Sequence, residues 1–226
     1  DIQQAATRSI EAHQGADAGA AVVVMDVRSG DVLAMVSSPA MNPNYFVDGF
    51  PSKEEVAYLD DPNLRPRINR ATQENYAPGS IFKTVIALAC LEHGLNPNEK
   101  FYNPPNPQDP NYGHIMVGRR SIRDTAPPGE YDFQRAIERS SNMYFITNGL
   151  RVGIENIVRM GEKFHLGERI GLPTRQETAG DFPSLKAVTG PAWHDGDTAN
   201  LCIGQGAIAV TPLQVAVMMS AIANGG

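Results

Sequence analysis

The segment Ser80 to His93 reads SIFKTVIALACLEH and is followed by Gly94. Ile81, Phe82, Val85, Leu88 and Ala89 fall at helical spacing, Pro78-Gly79 punctuates the start, and Gly94 supplies the stop. A helix apolar on nearly every face belongs in the middle of a fold, with other elements packed around it. The rest of the chain is constrained to supply that surround. With 226 residues, 42% of them hydrophobic, there is enough chain for such a core without a disulfide or metal staple.

The surrounding text is neither a helix bundle nor an alternating α/β pattern. Gly19 to Ser37, GAAVVVMDVRSGDVLAMVS, holds two β-branched runs about a polar Arg28-Ser29-Gly30-Asp31 turn, which predicts an antiparallel hairpin. Residues 38–79 have no periodicity and read as irregular surface. Residues 96–129 form a long proline-rich excursion, the kind of loop that is either functional or disordered. Helical patterns resume over Tyr131 to Glu138, Met143 to Val152 and Ile154 to Phe164, with breaks at Gly153 and Gly167. Gly171 to Asn200 is turn-rich. Thr211 to Ala223 closes the chain as a helix, with Thr211 as N-cap and Pro212 in the first helical position. The 17 prolines and 21 glycines, above the roughly 12% of average usage, fit a loop-rich chain. This order predicts an α+β fold, an antiparallel sheet with helices packed against it.

Several function classes drop out. Acidic residues outnumber basic ones 25 to 19, a formal charge of -6, which argues against a nucleic-acid partner. Apolar runs such as Ala20 to Met25 are far short of the roughly 18 residues of a membrane span. Cys90 and Cys202 show no metal or redox spacing and read as free buried thiols. His13, His93, His114, His165 and His194 are scattered, and Asp109, His114 and Asp124 read as a solvated loop, so neither a metal nor a cofactor is expected. No serine sits in a G-x-S-x-G elbow. The adjacent pairs Glu54-Glu55 and Asp60-Asp61 project in different directions and read as surface.

Ser80 and Lys83 are the informative pair. A serine opening a helix with a lysine three residues on puts hydroxyl and amine on one face, where the amine can take the hydroxyl proton directly. Burial or a nearby cation would lower the lysine pKa enough to free that amine, and the helix N-terminus favours negative charge on the attacked group. This is the logic of serine–lysine acyl transfer. A capping serine and a surface lysine account for the pair equally well, since about one S-x-x-K is expected by chance in a chain of this length. Its company strengthens it: Ser140-Ser141-Asn142, the only S-x-N, lies between two predicted helices, where a hydroxyl and an amide can relay a proton and hold a peptide-like substrate.

The pair of motifs resembles that of the penicillin-recognising serine acyl-enzymes. GAAVVVMDVRSGDVLAMVSSPAMNPNYF, Asn69-Arg70-Ala71, YAPGSIFK and IGQGAIAVTPLQ resemble, in order, the landmarks of class B penicillin-binding protein transpeptidase domains. The likeness runs over residues 1–226 and is greatest to the elongation type, with division-type transpeptidases, serine β-lactamases or β-lactam sensors, and non-enzymatic wall-binding modules as alternatives. The resemblance implies Ser80 as nucleophile toward a peptidoglycan stem peptide ending in D-Ala-D-Ala, and Lys83 as its base. Ser140 would protonate the departing D-Ala, and Asn142 would orient substrate and bond Lys83. It also implies acylation by β-lactams, a glycan polymerase and elongation-complex proteins as partners through regions outside this chain, and a place at the extracytoplasmic face of the bacterial cytoplasmic membrane, held by an N-terminal helix. The family's third motif, Lys-Thr-Gly on a core strand, would follow the TPLQ helix. The chain ends at Gly226 before it, and Lys186-Ala187-Val188-Thr189-Gly190 is not that motif because it carries two extra residues and precedes the helix. The expectation is therefore a domain fragment over 1–226, without anchor or N-terminal pedestal region, that acylates more slowly than a version extended past Gly226.

Overall fold

The computed structural model describes residues 1–13, 19–47 and 49–226, with the backbone alone at His13. They form two compact units. The first comprises Asp1–Tyr76, Glu168–Gly180 and Val210–Gly226, and the second Ala77–Gly167 and Asp181–Ala209.

The chain opens in the first unit with helix α1 (Ile2–His13), then strands β1 (Ala20–Met25) and β2 (Val32–Ser38). The strands pair antiparallel from Ala20 opposite Ser38 to Met25 opposite Val32, with an irregularity at Val24/Met25, so the expected hairpin is present. Its connection is closed by Gly30 at φ 78°, a left-handed conformation that glycine adopts at no steric cost. On the other side of β2 the Gln3 side chain of α1 imitates a strand. Its Nε2 donates to Met35 O at 3.0 Å, and its Oε1 accepts from Met35 N at 2.8 Å. A sheet edge is thereby covered by a helix.

The region expected to be irregular contains helix α2 (Lys53–Leu59). Ser52 Oγ accepts from Glu55 N and Glu55 Oε2 accepts from Ser52 N, a capping box that offsets the weak periodicity of so short a helix. Glu54 and Glu55 lie in its first turn, where acidic groups meet the positive end of the helix dipole.

The second unit begins at Ala77. Gly79–Phe82 is a 3-10 turn, and helix α3 (Lys83–Glu92) starts only after it. This corrects the predicted start of the helix at Ser80. It also corrects the apolar face: Phe82, Val85, Ile86 and Ala89 are buried, whereas Ile81 is 45% exposed, because a 3-10 turn advances each residue further around the axis than an α-helix does.

The proline-rich excursion is ordered. It carries β3 (Phe101–Asn103), β4 (His114–Val117), β5 (Arg120–Arg123) and β6 (Gly129–Tyr131), paired β3 with β6 and β4 with β5 as two antiparallel ribbons. Helices α4 (Phe133–Arg139), α5 (Asn142–Val152) and α6 (Ile154–Lys163) follow, close to the predicted segments. α7 (Leu185–Val188) takes in Lys186, Ala187 and Val188, and Thr189 and Gly190 follow as a turn, so the 186–190 stretch is not on a strand. α8 (Asp195–Cys202) emerges from text that reads as turns. Around α3 the core is made by Tyr144, Phe145 and Ile146 of α5, Ile157 and Val158 of α6, and Leu201 and Cys202 of α8. Cys90 and Cys202 are free and buried, as expected.

The chain returns to the first unit with α9 (Pro212–Asn224), begun as predicted by Thr211, whose side chain accepts from Gln214 N. Gln214 is 1% exposed, and its Nε2 donates to Glu168 O and Ala179 O. The fold is α+β, its described strands forming small antiparallel sheets against helices. Among the described residues no helix is long and apolar enough to cross a membrane.

Candidate active site

The second unit brings all four sequence-predicted residues together. Ser80 is exposed on the 3-10 turn. That turn is fixed from both sides: Phe82, 1% exposed, meets Phe182 edge-on with ring centroids 6.1 Å apart, and Gly79 N donates to Gly204 O at 2.9 Å. Gly204 has φ 68°, and a Cβ there would run into the Gly79 carbonyl. The backbone at Gly204 is therefore part of the seat of the serine's turn.

One residue after the turn, Lys83 opens α3 and is 3% exposed. Its Nζ donates to Ser140 O at 2.5 Å, to Ser140 Oγ at 3.0 Å and to Asn142 Oδ1 at 2.7 Å. Three acceptors match the three N–H groups of an ammonium; a neutral amine would keep two of these bonds and turn its lone pair to Ser140 Oγ. Burial pushes the Lys83 pKa down to about 8, against an opposing pull from the Asp124 carboxylate. The Phe145 ring, its centroid 5.8 Å from Nζ, adds apolar surround.

Ser140 caps the C-terminus of α4 in the left-handed region, φ 53° and ψ 44°, a conformation that costs a non-glycine residue about 1–2 kcal/mol. Its carbonyl is held by Lys83 and by Thr125 Oγ1, which donates at 2.8 Å. Its hydroxyl donates to Ser80 Oγ at 2.9 Å. Here the geometry differs from the expected direct Ser80–Lys83 proton transfer: the hydrogen bonds run Ser80 Oγ, Ser140 Oγ, Lys83 Nζ. The three N–H groups of Lys83 are taken by Ser140 O, Ser140 Oγ and Asn142 Oδ1, so Ser80 reaches the amine through Ser140.

Ser141 is the N-cap of α5, accepting from Tyr144 N, and Asn142 is the first helical residue. Asn142 Nδ2 donates to Arg123 O at 3.1 Å, which aims Oδ1 at Lys83. Sequence reading missed Asp124, 1% exposed, whose carboxylate accepts from Ser141 Oγ and Asn142 N, each at 2.6 Å. It had been set aside with Asp109 and His114; Asp109 instead pairs with Arg123 at 2.9 Å, and no metal-holding group of side chains exists among the described residues. A buried aspartate in a loop leaves no periodic signal, so nothing local in the text distinguishes it from a solvated one.

An exposed serine hydroxyl, joined through a second hydroxyl to a buried amine with lowered proton affinity, is the apparatus of serine–lysine acyl transfer. Residues 20–226 match the model of the penicillin-binding protein transpeptidase domain. The chain belongs to that family. It is 35% identical over 214 residues to the peptidoglycan D,D-transpeptidase MrdA of Escherichia coli K12, covering 92% of this chain and 32% of that protein. It is similar to Pseudomonas aeruginosa PBP2 in complex with WCK 5153, at TM-score 0.85 and 32% identity, over all of this chain and 50% of that one. Helicobacter pylori PBP2, solved in complex with MreC, matches at TM-score 0.84 and 32% identity, over 99% of this chain and 40% of its own. The chain thus spans about a third of the curated relative and half or less of the solved ones.

Proposed function

We propose that this chain carries the serine acyl-enzyme site of an elongation-type peptidoglycan D,D-transpeptidase acting at the extracytoplasmic face of the cytoplasmic membrane. The observation that carries the reading is the bond series Ser80–Ser140–Lys83–Asn142 around a lysine whose pKa burial lowers to about 8. At pH 7 about a tenth of such an amine is neutral, against well under a thousandth at the ordinary lysine value. Relatives named as the D,D-transpeptidase MrdA and as PBP2 support the substrate and the elongation role.

In this mechanism Ser80 Oγ attacks the carbonyl of the penultimate D-Ala of a stem peptide. Its proton passes to Ser140 Oγ as Ser140 gives its own to the Lys83 amine. The tetrahedral adduct collapses to a Ser80 ester, and the D-Ala amine leaves with a proton returned from Lys83 through Ser140. The amine of a neighbouring stem peptide then attacks the ester, loses its proton by the same route, and releases Ser80 with a new amide. Asn142 Oδ1 keeps Lys83 oriented throughout, and the Ser80 N–H is one donor for the oxyanion. A β-lactam enters the first half and stalls at the ester. The H. pylori relative's complex with MreC supports elongation-complex proteins as partners; a glycan polymerase is the second partner in this reading.

The test is to incubate the protein with benzylpenicillin and weigh it intact. A long-lived adduct of one penicillin mass, mapped to Ser80 and lost in Ser80→Ala, is expected. No adduct sinks the reading, and rapid hydrolytic turnover would make the site a β-lactamase.

A further inference from the structure

Three consecutive residues, Arg123, Asp124 and Thr125, between them bond every member of Ser140-Ser141-Asn142. Thr125 Oγ1 donates to Ser140 O at 2.8 Å. The Asp124 carboxylate accepts from Ser141 Oγ at 2.6 Å, from Asn142 N at 2.6 Å and from Met143 N at 3.1 Å. The Arg123 carbonyl accepts from Asn142 Nδ2 at 3.1 Å. Asp124 itself is pinned by Asn103 Nδ2 at 2.9 Å and by Ala126 N at 3.1 Å. All five of its partners donate, the surround a carboxylate anion requires, and three of them are the Ser141 hydroxyl and the first two amides of α5.

This is more contact than a helix cap needs. An ordinary N-cap satisfies one or two orphan amides, and Ser141 already does that for Tyr144 N. The additional bonds converge on the two residues that hold the Lys83 amine, Ser140 at its carbonyl and Asn142 at its backbone N–H and its Nδ2. We propose that the Arg123-Asp124-Thr125 segment is the positioning device of the site, its Asp124 carboxylate fixing the Ser140-Ser141-Asn142 corner against Lys83. The inference rests on the acyl-transfer reading and adds residues to it; neither Asp124 nor Thr125 touches the reacting atoms.

A purely structural carboxylate and a positioning one differ in what their charge does. The groups packed around Lys83 are Ser80 of the turn, Ser140 of the corner, and Asn142 and Phe145 of α5, all uncharged. Among the described residues Asp124 is the charge that acts on the amine, favouring its protonated form against the effect of burial. Around Asp124 stand Asn103, Ala126, Ser141, Asn142 and Met143, with Lys83 and the Tyr131 phenol acting on it at longer range. Removing the negative charge therefore leaves burial unopposed at Lys83. The amine becomes free at lower pH, even as its partners lose their alignment.

The experiment is the second-order rate of acylation by benzylpenicillin, followed from about pH 6 to pH 10, on wild type, Asp124→Asn and Thr125→Val, with thermal unfolding of each. Asp124→Asn is expected to lose about tenfold or more in maximal rate, with its rising limb moved to lower pH. Thr125 is exposed, so Thr125→Val is expected to fold normally and acylate several-fold more slowly, with the limb unmoved. A folded Asp124→Asn whose limb stays at the wild-type pH or moves up overturns the proposal, and so does a Thr125→Val that reacts at the wild-type rate. If Asp124→Asn does not fold, Thr125→Val decides. Wild type that is not acylated at all refutes the acyl-transfer reading itself, a result distinct from any difference among the variants.

Discussion

A lysine at the entrance of α3, almost wholly buried among hydroxyls, an amide and an aromatic ring, is set to give up its proton. Desolvation is the larger influence and Asp124 the smaller, so the balance leaves the Lys83 pKa near 8 instead of above 10. Replacing Lys83 by Arg keeps a cation but removes the base, because a guanidinium does not deprotonate near neutral pH. Lys83→Arg should lower the rate of penicillin acylation by about 10³-fold or more while the protein stays folded, read by stopped-flow and circular dichroism. Ser140→Ala removes the hydroxyl between Ser80 and Lys83 and should cost about 10²-fold at all pH values. If Ser140→Ala acylates at the wild-type rate, the direct Ser80–Lys83 transfer is restored as the working path. Ser80, Lys83, Ser140 and Asn142 were legible because two short spacings carry them. Asp124 and Thr125 were not, because their role comes from tertiary proximity across β6 and α4, and no sequence period records that.

Elements show the same division between local and non-local causes. The hairpin, α9 and the α4–α6 run follow from patterns written within each segment: β-branched runs about a glycine turn, a Thr-Pro start, glycine breaks. α2 was written too, as the Ser52–Glu55 capping box, but seven residues give too little periodicity to outweigh the surrounding prolines. The ribbon β3/β6 pairs residues as far apart as Phe101 and Tyr131, and β4/β5 is a tight hairpin about Gly118-Arg119, but strands of three or four residues among prolines looked like loop. The 3-10 turn at Ser80 depends on Gly204, a residue more than a hundred positions later. Gly204→Ala should therefore strain both the positive-φ backbone and the contact with Gly79, destabilising the protein by about 2–4 kcal/mol and slowing acylation at temperatures where it remains folded. Thermal unfolding and the acylation rate check the two halves, and an unchanged melting temperature would contradict this reading of the turn. Ser52→Ala, by contrast, removes only the α2 cap and should cost about 1 kcal/mol with acylation untouched.

On the scale of the whole molecule, the second unit is a close-packed helical core that carries the buried Lys83 amine and its hydrogen-bond partners at its edge. Its two thiols report on that core. Cys90 and Cys202 are 3% and 0% exposed, and burial raises the Cys90 thiol to about 11, so about one molecule in a thousand holds a Cys90 thiolate at pH 8. Native protein should resist an aromatic disulfide reagent, and both thiols should react together when denaturant unfolds the unit. Fast labelling of either in native protein would mean the core opens locally. The family to which the chain belongs supplies the setting for this amine, and the packing around it accounts for the chemistry: an amine basic enough to be useful and neutral enough to be available. That claim is tested most directly by the wild-type rate of penicillin acylation measured against pH. The rate should rise about tenfold per pH unit up to an inflection near pH 8, then level, and the limb should disappear in Lys83→Arg. A rate independent of pH between about 6 and 9, or an inflection above 10 where an ordinary lysine titrates, would contradict it.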